Sequence, residues 1–215
     1  MTPTWDILVT SIPHRHESLL RLLAELDRQL LPGMRGTVGV LLYRDDLEVP
    51  YGDKTQALIE ASTADYVSSV DDDDLPAPGF IAKVLIVLHN REPDYVGFNV
   101  RWTRDGVPQL PVIHSLACGG WNDKPGRLER DITQFNPVRR DLALLGRWEG
   151  GYEAERRWAA EIRATGKCNS EVFIDEELYF YQESSGDTFK TDRKPLGHMP
   201  DIPSYPWLKQ IGPYA

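Results

Sequence analysis

Within its first 70 residues the chain alternates short apolar, β-leaning runs with segments of helical period, and the third such run stops at four consecutive aspartates, Asp71, Asp72, Asp73 and Asp74. Residues 5–10, 38–43 and 66–70 have strand length and composition. Between them, leucines at 19, 22, 23, 26 and 30 recur at helical spacing up to Pro32-Gly33, and residues 54–64 carry Ala57, Leu58 and Ala61 on one face. Strand, helix, strand, helix, strand in so short a span predicts parallel strands joined by right-handed crossovers, hence an α/β fold around an open, mainly parallel central sheet flanked by helices. Ligands of such sheets bind beyond the carboxyl ends of the strands. Each of the three strands here ends in a polar loop: residues 11–16, Arg44-Asp45-Asp46, and the aspartate run.

Beyond the run, residues 78–90 read as a helix with Phe80, Ile81, Val84, Leu85 and Leu88 inward. Residues 95–103 read as a strand, and Asp105-Gly106 as a hairpin tip returning through residues 107–112. Periodicity then lapses through Cys118-Gly119-Gly120-Trp121. Asn136-Pro137 has the form of an N-cap and first-turn proline, predicting a helix to Leu145, and another helix is expected over residues 153–165, closed by Gly166. Residues 184–215 hold five prolines and little periodicity, which suggests a tail.

Composition narrows the function. The 215 residues carry a net charge of −9, with acids concentrated at Asp45/Asp46, the aspartate run and Asp175/Glu176/Glu177. That balance opposes tight binding to a nucleic-acid backbone, which releases counterions only to a basic surface. No apolar run approaches the roughly 20 residues of a membrane span, and the first residues lack a signal-peptide pattern, so a cytoplasmic protein is expected. Cys118 and Cys168 are far apart and read as free thiols. No glycine-rich phosphate loop is present, so a bound phosphate would need a metal and side chains. Four adjacent carboxylates repel one another unless a cation lies between them, and all-oxygen ligation favours magnesium, manganese or calcium.

The strand leading into Asp71-Asp72-Asp73-Asp74 and Leu75-Pro76, with Gly52-Asp53-Lys54 upstream, resembles the nucleotide-sugar half of the family 2 glycosyltransferases, whose fold is the GT-A type. The match covers residues 5–80 and extends more loosely to 183. It implies a single catalytic domain over residues 1–183, in which residues 1–103 bind the nucleotide sugar and 104–183 face the acceptor, with the 184–215 tail packing on or over the site. Ile12 and Pro13 would stand at the first-strand loop, with His14 and His16 beside it. Asp45 or Asp46 would bind the base, and Lys54 would lie near the base or phosphates. Asp71 would reach the ribose side, shared with the metal, and Asp73 would coordinate Mn2+ or Mg2+. Asp72 or Asp74 could enter by a shift of register. A late histidine, His198, would be a further metal ligand.

In inverting members an acidic pair opening a helix supplies the base that deprotonates the acceptor. Here that stretch is Glu153-Ala154-Glu155, which assigns Glu155 as base with Glu153 as its competitor. Ala154 departs from the pattern. Trp121, Arg139 with Arg140, and Trp158 are the acceptor candidates.

The implied activity is metal-dependent transfer of a sugar, with inversion, from a UDP- or GDP-sugar to a hydroxyl of a glycan, protein, small molecule or modified nucleic-acid base. A nucleotidyltransferase is the rival enzyme, although the loop over residues 11–16 is a poor candidate for the glycine-rich, basic loop it would use. A non-catalytic nucleotide-sugar-binding module is the other alternative.

Overall fold

The computed structural model of the protein describes residues 2–151, 153–186 and 193–215. Strands β1 (Trp5–Ser11), β2 (Val38–Arg44) and β3 (Tyr66–Ser69) alternate with helices α1 (His16–Gln29) and α2 (Tyr51–Ala61). β1 pairs in parallel with both β2 and β3, Leu8 standing opposite Leu41 and Ser69. The expected core is therefore present, and its order is 2-1-3. Strand β4 (Leu75–Pro76) and helix α3 (Phe80–Arg91) follow the aspartates.

The later elements widen the sheet. β5 (Tyr95–Arg104) turns through Asp105-Gly106 into β6 (Val107–Pro108), as the hairpin signal predicts, and β7 (Val112–His114), β8 (Asn122–Lys124) and β9 (Arg127–Arg130) continue outward. β10 (Val138–Arg139) is antiparallel to both β3 and β5 and lies between them. This corrects the helix predicted from Asn136. Val138 is needed as the sheet's bridging residue, so only a single turn, α4 (Arg140–Ala143), remains helical before α5 (Ala154–Ala164).

Two strands escape the sequence reading. β11 (Glu171–Glu183) runs parallel to β5 and antiparallel to β4, with register shifts at Asp175 to Leu178. β12 (Leu208–Ile211), in the segment expected to be a tail, adds a parallel strand to the free edge of β2.

Apolar residues pack on both faces of the sheet. On one side Leu19, Leu22, Leu23 and Leu26 of α1 and Phe80, Ile81, Val84 and Leu88 of α3 cover Ile7, Val9, Val40 and Leu42. On the other, Leu58 and Ile59 of α2 and Trp158 and Ile162 of α5 cover Leu8, Leu41 and Val67. Each fully buried leucine or phenylalanine contributes about 2 kcal/mol. The odd and even residues of β1 face opposite layers, so its continuous apolar run follows from burial on both faces. Among the described residues no helix is long and apolar enough to cross a membrane.

Candidate active site

The loops after β1 and β3 meet at the carboxyl edge of the sheet. The four aspartates divide there by environment. Asp74 is fully buried, its Oδ2 accepting from the Tyr179 hydroxyl at 2.8 Å and its Oδ1 from the Gln182 backbone N–H at 2.6 Å. The same tyrosine oxygen accepts the Asp71 backbone N–H at 3.1 Å, so β11 clamps both ends of the run. Burial, then Asp71 and Asp73, hold the Asp74 carboxyl well above the usual carboxylate range.

Asp72 is also sealed, with Oδ1 2.9 Å from an Arg15 nitrogen. Burial pushes it up to about 6, with Arg15 opposing. Asp73 is more open, its Oδ2 3.0 Å from the other Arg15 nitrogen.

Asp71 faces a polar group contributed by three separated segments. Its Oδ1 lies 3.0 Å from the Tyr51 hydroxyl at the start of α2, and that hydroxyl lies 2.7 Å from Gln134 Oε1. Gln134 Nε2 approaches both Asp71 oxygens at 3.3 and 3.4 Å, while its backbone N–H donates to Glu155 Oε1 at 2.9 Å. One glutamine thus ties the aspartate loop to the first turn of α5. Burial, then Asp73 and Glu155, raise Asp71 to about 8. Burial raises Glu155 to about 7, moderated by the Gln134 N–H and then by Arg130. A carboxyl group near neutrality at a cleft is suited to proton transfer.

The remaining sequence candidates fall in several places. Pro13 opens the short turn that aims Arg15, and Ile12 precedes it. Asp45 and Lys54 are brought together: Lys54 Nζ is 2.5 Å from Asp45 Oδ1, and both are buried at the β2–α2 corner, where Asp45 Oδ2 also accepts the Val49 N–H. Asp46 instead accepts the Leu196 and Gly197 N–H groups, fastening the C-terminal segment over the end of β2. His198 is exposed beside that contact.

Glu153 is exposed at the cap of α5, whereas Glu155 is turned inward. Trp121 is half-buried, with its indole N–H on Ile132 O and the Arg130 guanidinium 5.2 Å above its ring. Two acceptor candidates lie away from the crevice. Trp158 is 2% exposed in the second apolar cluster, its indole N–H donating to Ala143 O, so its ring is core. Arg139 pairs with Tyr66 at the amino end of β3, opposite to the aspartates, and binds Asp141 and Asp94.

Arg15, Tyr51, Gln134 and Tyr179 are the residues that sequence reasoning missed. Arg15 had a local signal, a cation two residues after the first-strand proline. Gln134 had none, because the stretch around it has no period.

Among the described residues no group of three or more histidine, cysteine, aspartate or glutamate side chains is already arranged around a metal position. The donors still suit a hard cation. They are carboxylate oxygens, Asp72 Oδ2 is buried without a hydrogen-bond partner, and Asp71 and Asp73 repel each other. Magnesium-like ions are commonly held by one or two carboxylates plus substrate phosphates, and Asp71 and Asp73 fit that mode.

Several solved structures share the fold of this chain. The chain superposes on S. aureus TarS 1-349 with a TM-score of 0.63 at 12% identity, covering 83% of this chain and 60% of that one. The chain has the GT-A fold. Mannosyltransferase PcManGT from Pyrobaculum calidifontis, solved with GDP-Man and Mn2+, matches with a TM-score of 0.54 at 12% identity, over 84% of this chain and 57% of that one. Glucosyl-3-phosphoglycerate synthase from Mycobacterium tuberculosis, solved with Mg2+ and UDP, matches at 0.51 and 12%, over 82% and 70%. This GT-A chain thus spans less than two thirds of the TarS fragment. No protein-family model and no curated sequence matches it.

Proposed function

We propose that the protein is a metal-dependent glycosyltransferase that moves a sugar from a nucleoside-diphosphate sugar to an acceptor hydroxyl with inversion. The observation that carries this reading is the Gln134 link, which brings Glu155 to the same crevice as Asp71 from 84 positions later in the chain. The GT-A fold supports it, as do the donors named with similar structures: TarS 1-349 was solved with UDP-GlcNAc and PcManGT with GDP-Man. A glutamate held near neutrality beside the crevice favours an enzyme over a binding module without chemistry.

In this reading Asp71 and Asp73 hold Mn2+ or Mg2+, which when bound neutralises charge on the departing diphosphate. Residues 1–103 form the donor half. The β2–α2 corner, with its Asp45–Lys54 pair, frames the nucleobase end. Residues 104–183 form the acceptor half, with the edge of Trp121 as a stacking surface, and the C-terminal segment fastened by Asp46 borders the crevice.

Glu155 accepts the proton of the incoming hydroxyl, and the hydroxyl oxygen attacks the anomeric carbon from the face opposite the leaving group. Gln134 orients Glu155 through its backbone N–H and Asp71 through its side chain. Tyr51 completes the group by bonding to Gln134 and Asp71.

The test is a screen of UDP- and GDP-sugars with Mn2+ against glycan, peptide and small-molecule acceptors. Nucleoside diphosphate release is the readout, and the anomeric configuration of the product is then read by NMR. Pyrophosphate formation from a sugar phosphate and a nucleoside triphosphate would overturn the assignment in favour of nucleotidyl transfer. Retained configuration would remove Glu155 as base.

A further inference from the structure

In a chain of net charge −9, residues 121–130 hold three cations, Lys124, Arg127 and Arg130, against two acids, Asp123 and Glu129. Lys124 at 2.6 Å and Arg127 at 2.5 Å both pair with Glu129. Arg130 is placed differently. Its guanidinium lies 5.2 Å from the Trp121 ring centroid, and its Nη1 donates to Glu129 O at 2.9 Å and Asn122 O at 3.4 Å. Its carboxylate partner, Asp123, is 2.8 Å from Nη2, but that side chain is 74% exposed whereas the Arg130 side chain is 18% exposed. Water and salt screen so open a carboxylate, so the pair is weak and the sheltered Arg130 charge stays largely uncompensated. Arg163 is the contrast: it reaches 4.0 Å from the Cβ position of Gly120 in the adjoining turn, and its partner, Asp131, is 3% exposed. That charge is answered from inside the protein.

The position of Arg130 connects it to the candidate base. The Trp121 indole N–H is fixed on Ile132 O, and two residues further the Gln134 N–H donates to Glu155. Arg130 and the Trp121 ring therefore stand along the short segment, residues 130–134, that ends on Glu155, and Arg130 is among the charges acting on that carboxyl. Among the described residues the Arg130 Nε–H makes no hydrogen bond and Nη2 meets only Asp123. An indole against a guanidinium holds its plane while leaving the in-plane N–H groups to bind an anion. Such a cation also offsets the repulsion between an anionic substrate and an ionised base. Resting on the glycosyltransferase reading above, we propose that Arg130 is an acceptor-binding residue and that the acceptor is an anionic alcohol, its phosphate or carboxylate group on Arg130 and its hydroxyl toward Glu155. Trp121 fixes the guanidinium. Asp123 is the exposed placeholder that the incoming anion displaces.

The experiment is isothermal titration of the full chain, wild type, Arg130→Gln and Asp123→Asn, at saturating Mn2+ and UDP or GDP, with glucose, glucose 6-phosphate and glucuronate as probes. Wild type is expected to bind at least one anionic probe about tenfold more tightly than glucose, through a charge-assisted hydrogen bond. Preference for glucose 6-phosphate alone assigns a phosphate, for glucuronate alone a carboxylate, and for both an anion of either kind. Arg130→Gln is expected to bring the preferred probe within about twofold of glucose while nucleotide affinity stays within about twofold of wild type. Asp123→Asn, which removes the competing carboxylate, is expected to tighten the preferred probe about twofold, a gain that a folding defect does not produce. The proposal is overturned by equal affinity for the three probes, by binding of none of them, by a preference that survives Arg130→Gln, or by an Asp123→Asn variant that binds no more tightly than wild type. If wild type with Mn2+ binds neither UDP nor GDP, the glycosyltransferase reading fails and this proposal falls with it. A bound nucleotide without the anion preference defeats this proposal alone.

Discussion

Asp71, Asp72, Asp73 and Asp74 follow β3, while Asp175, Glu176 and Glu177 interrupt β11; both are carboxylate runs beside apolar strand residues, yet the first is sunk in protein and the second stands in water. The β11 acids lie where its register against β5 shifts, and each finds an ordinary surface partner: Asn99 for Asp175, Lys83 for Glu176 and Arg101 for Glu177. Exposed pairs of this kind contribute about 0–1 kcal/mol. In the β3 run, burial and mutual repulsion lift Asp71, Asp72 and Asp74, and among the described residues hydrogen bonds and the Arg15 guanidinium offset part of that. Acidic clustering therefore carries no function by itself. What distinguishes the first run is that the fold withholds water from it while leaving Asp73 open.

Substitutions in the two runs should separate accordingly. Asp73→Ala is expected to lower sugar transfer by about a thousandfold, measured as nucleoside diphosphate release at saturating Mn2+, because leaving-group stabilisation is lost. Activity within tenfold of wild type would place the metal elsewhere.

Glu155→Gln is expected to reduce transfer by about a hundredfold or more while nucleotide affinity by titration stays within about twofold. The pH profile should agree. Burial raises the Glu155 carboxyl to about 7, so the ionised base is lost on acidification and the rate falls about tenfold per unit below about pH 6. The sign for stability is the reverse. A folded value above that of an unfolded glutamate means that ionisation costs stability, so this group's contribution declines as pH rises from about 4.5 to 7.

Tyr179→Phe removes the donor to Asp74 and the acceptor of the Asp71 N–H, and is expected to cost about 1–3 kcal/mol in urea unfolding. Glu176→Gln and Glu177→Gln, the controls from the exposed run, should leave transfer unchanged and move the melting midpoint by less than about 1 °C. A loss of transfer in either would tie β11's acids to the acceptor.

The first 103 residues were legible because regular elements with two-sided burial write themselves as apolar runs and helical leucines. Residues 5–70 gave the alternation, and the paired strands follow it closely. The later residues were legible only in part. β11 was hidden because Asp175, Glu176 and Glu177 interrupt the Leu178, Tyr179 and Tyr181 pattern that would have marked a strand, and Val138 was read as helix because a two-residue bridge is too short to show a period. The Glu155 assignment came from a resemblance with a broken motif, and its position beside Asp71 was not implied by spacing.

From the chain alone came the open α/β core, the edge of the sheet where polar loops gather and the aspartate run as its centre, because strand polarity and hydrophobic period are local properties. The tertiary structure alone decided which aspartate is sealed, which is open, and which partners reach them. Those answers depend on Tyr51, Gln134, Arg15 and Tyr179, drawn from segments far apart in the chain, and burial and hydrogen bonding between distant segments leave no periodic trace in sequence.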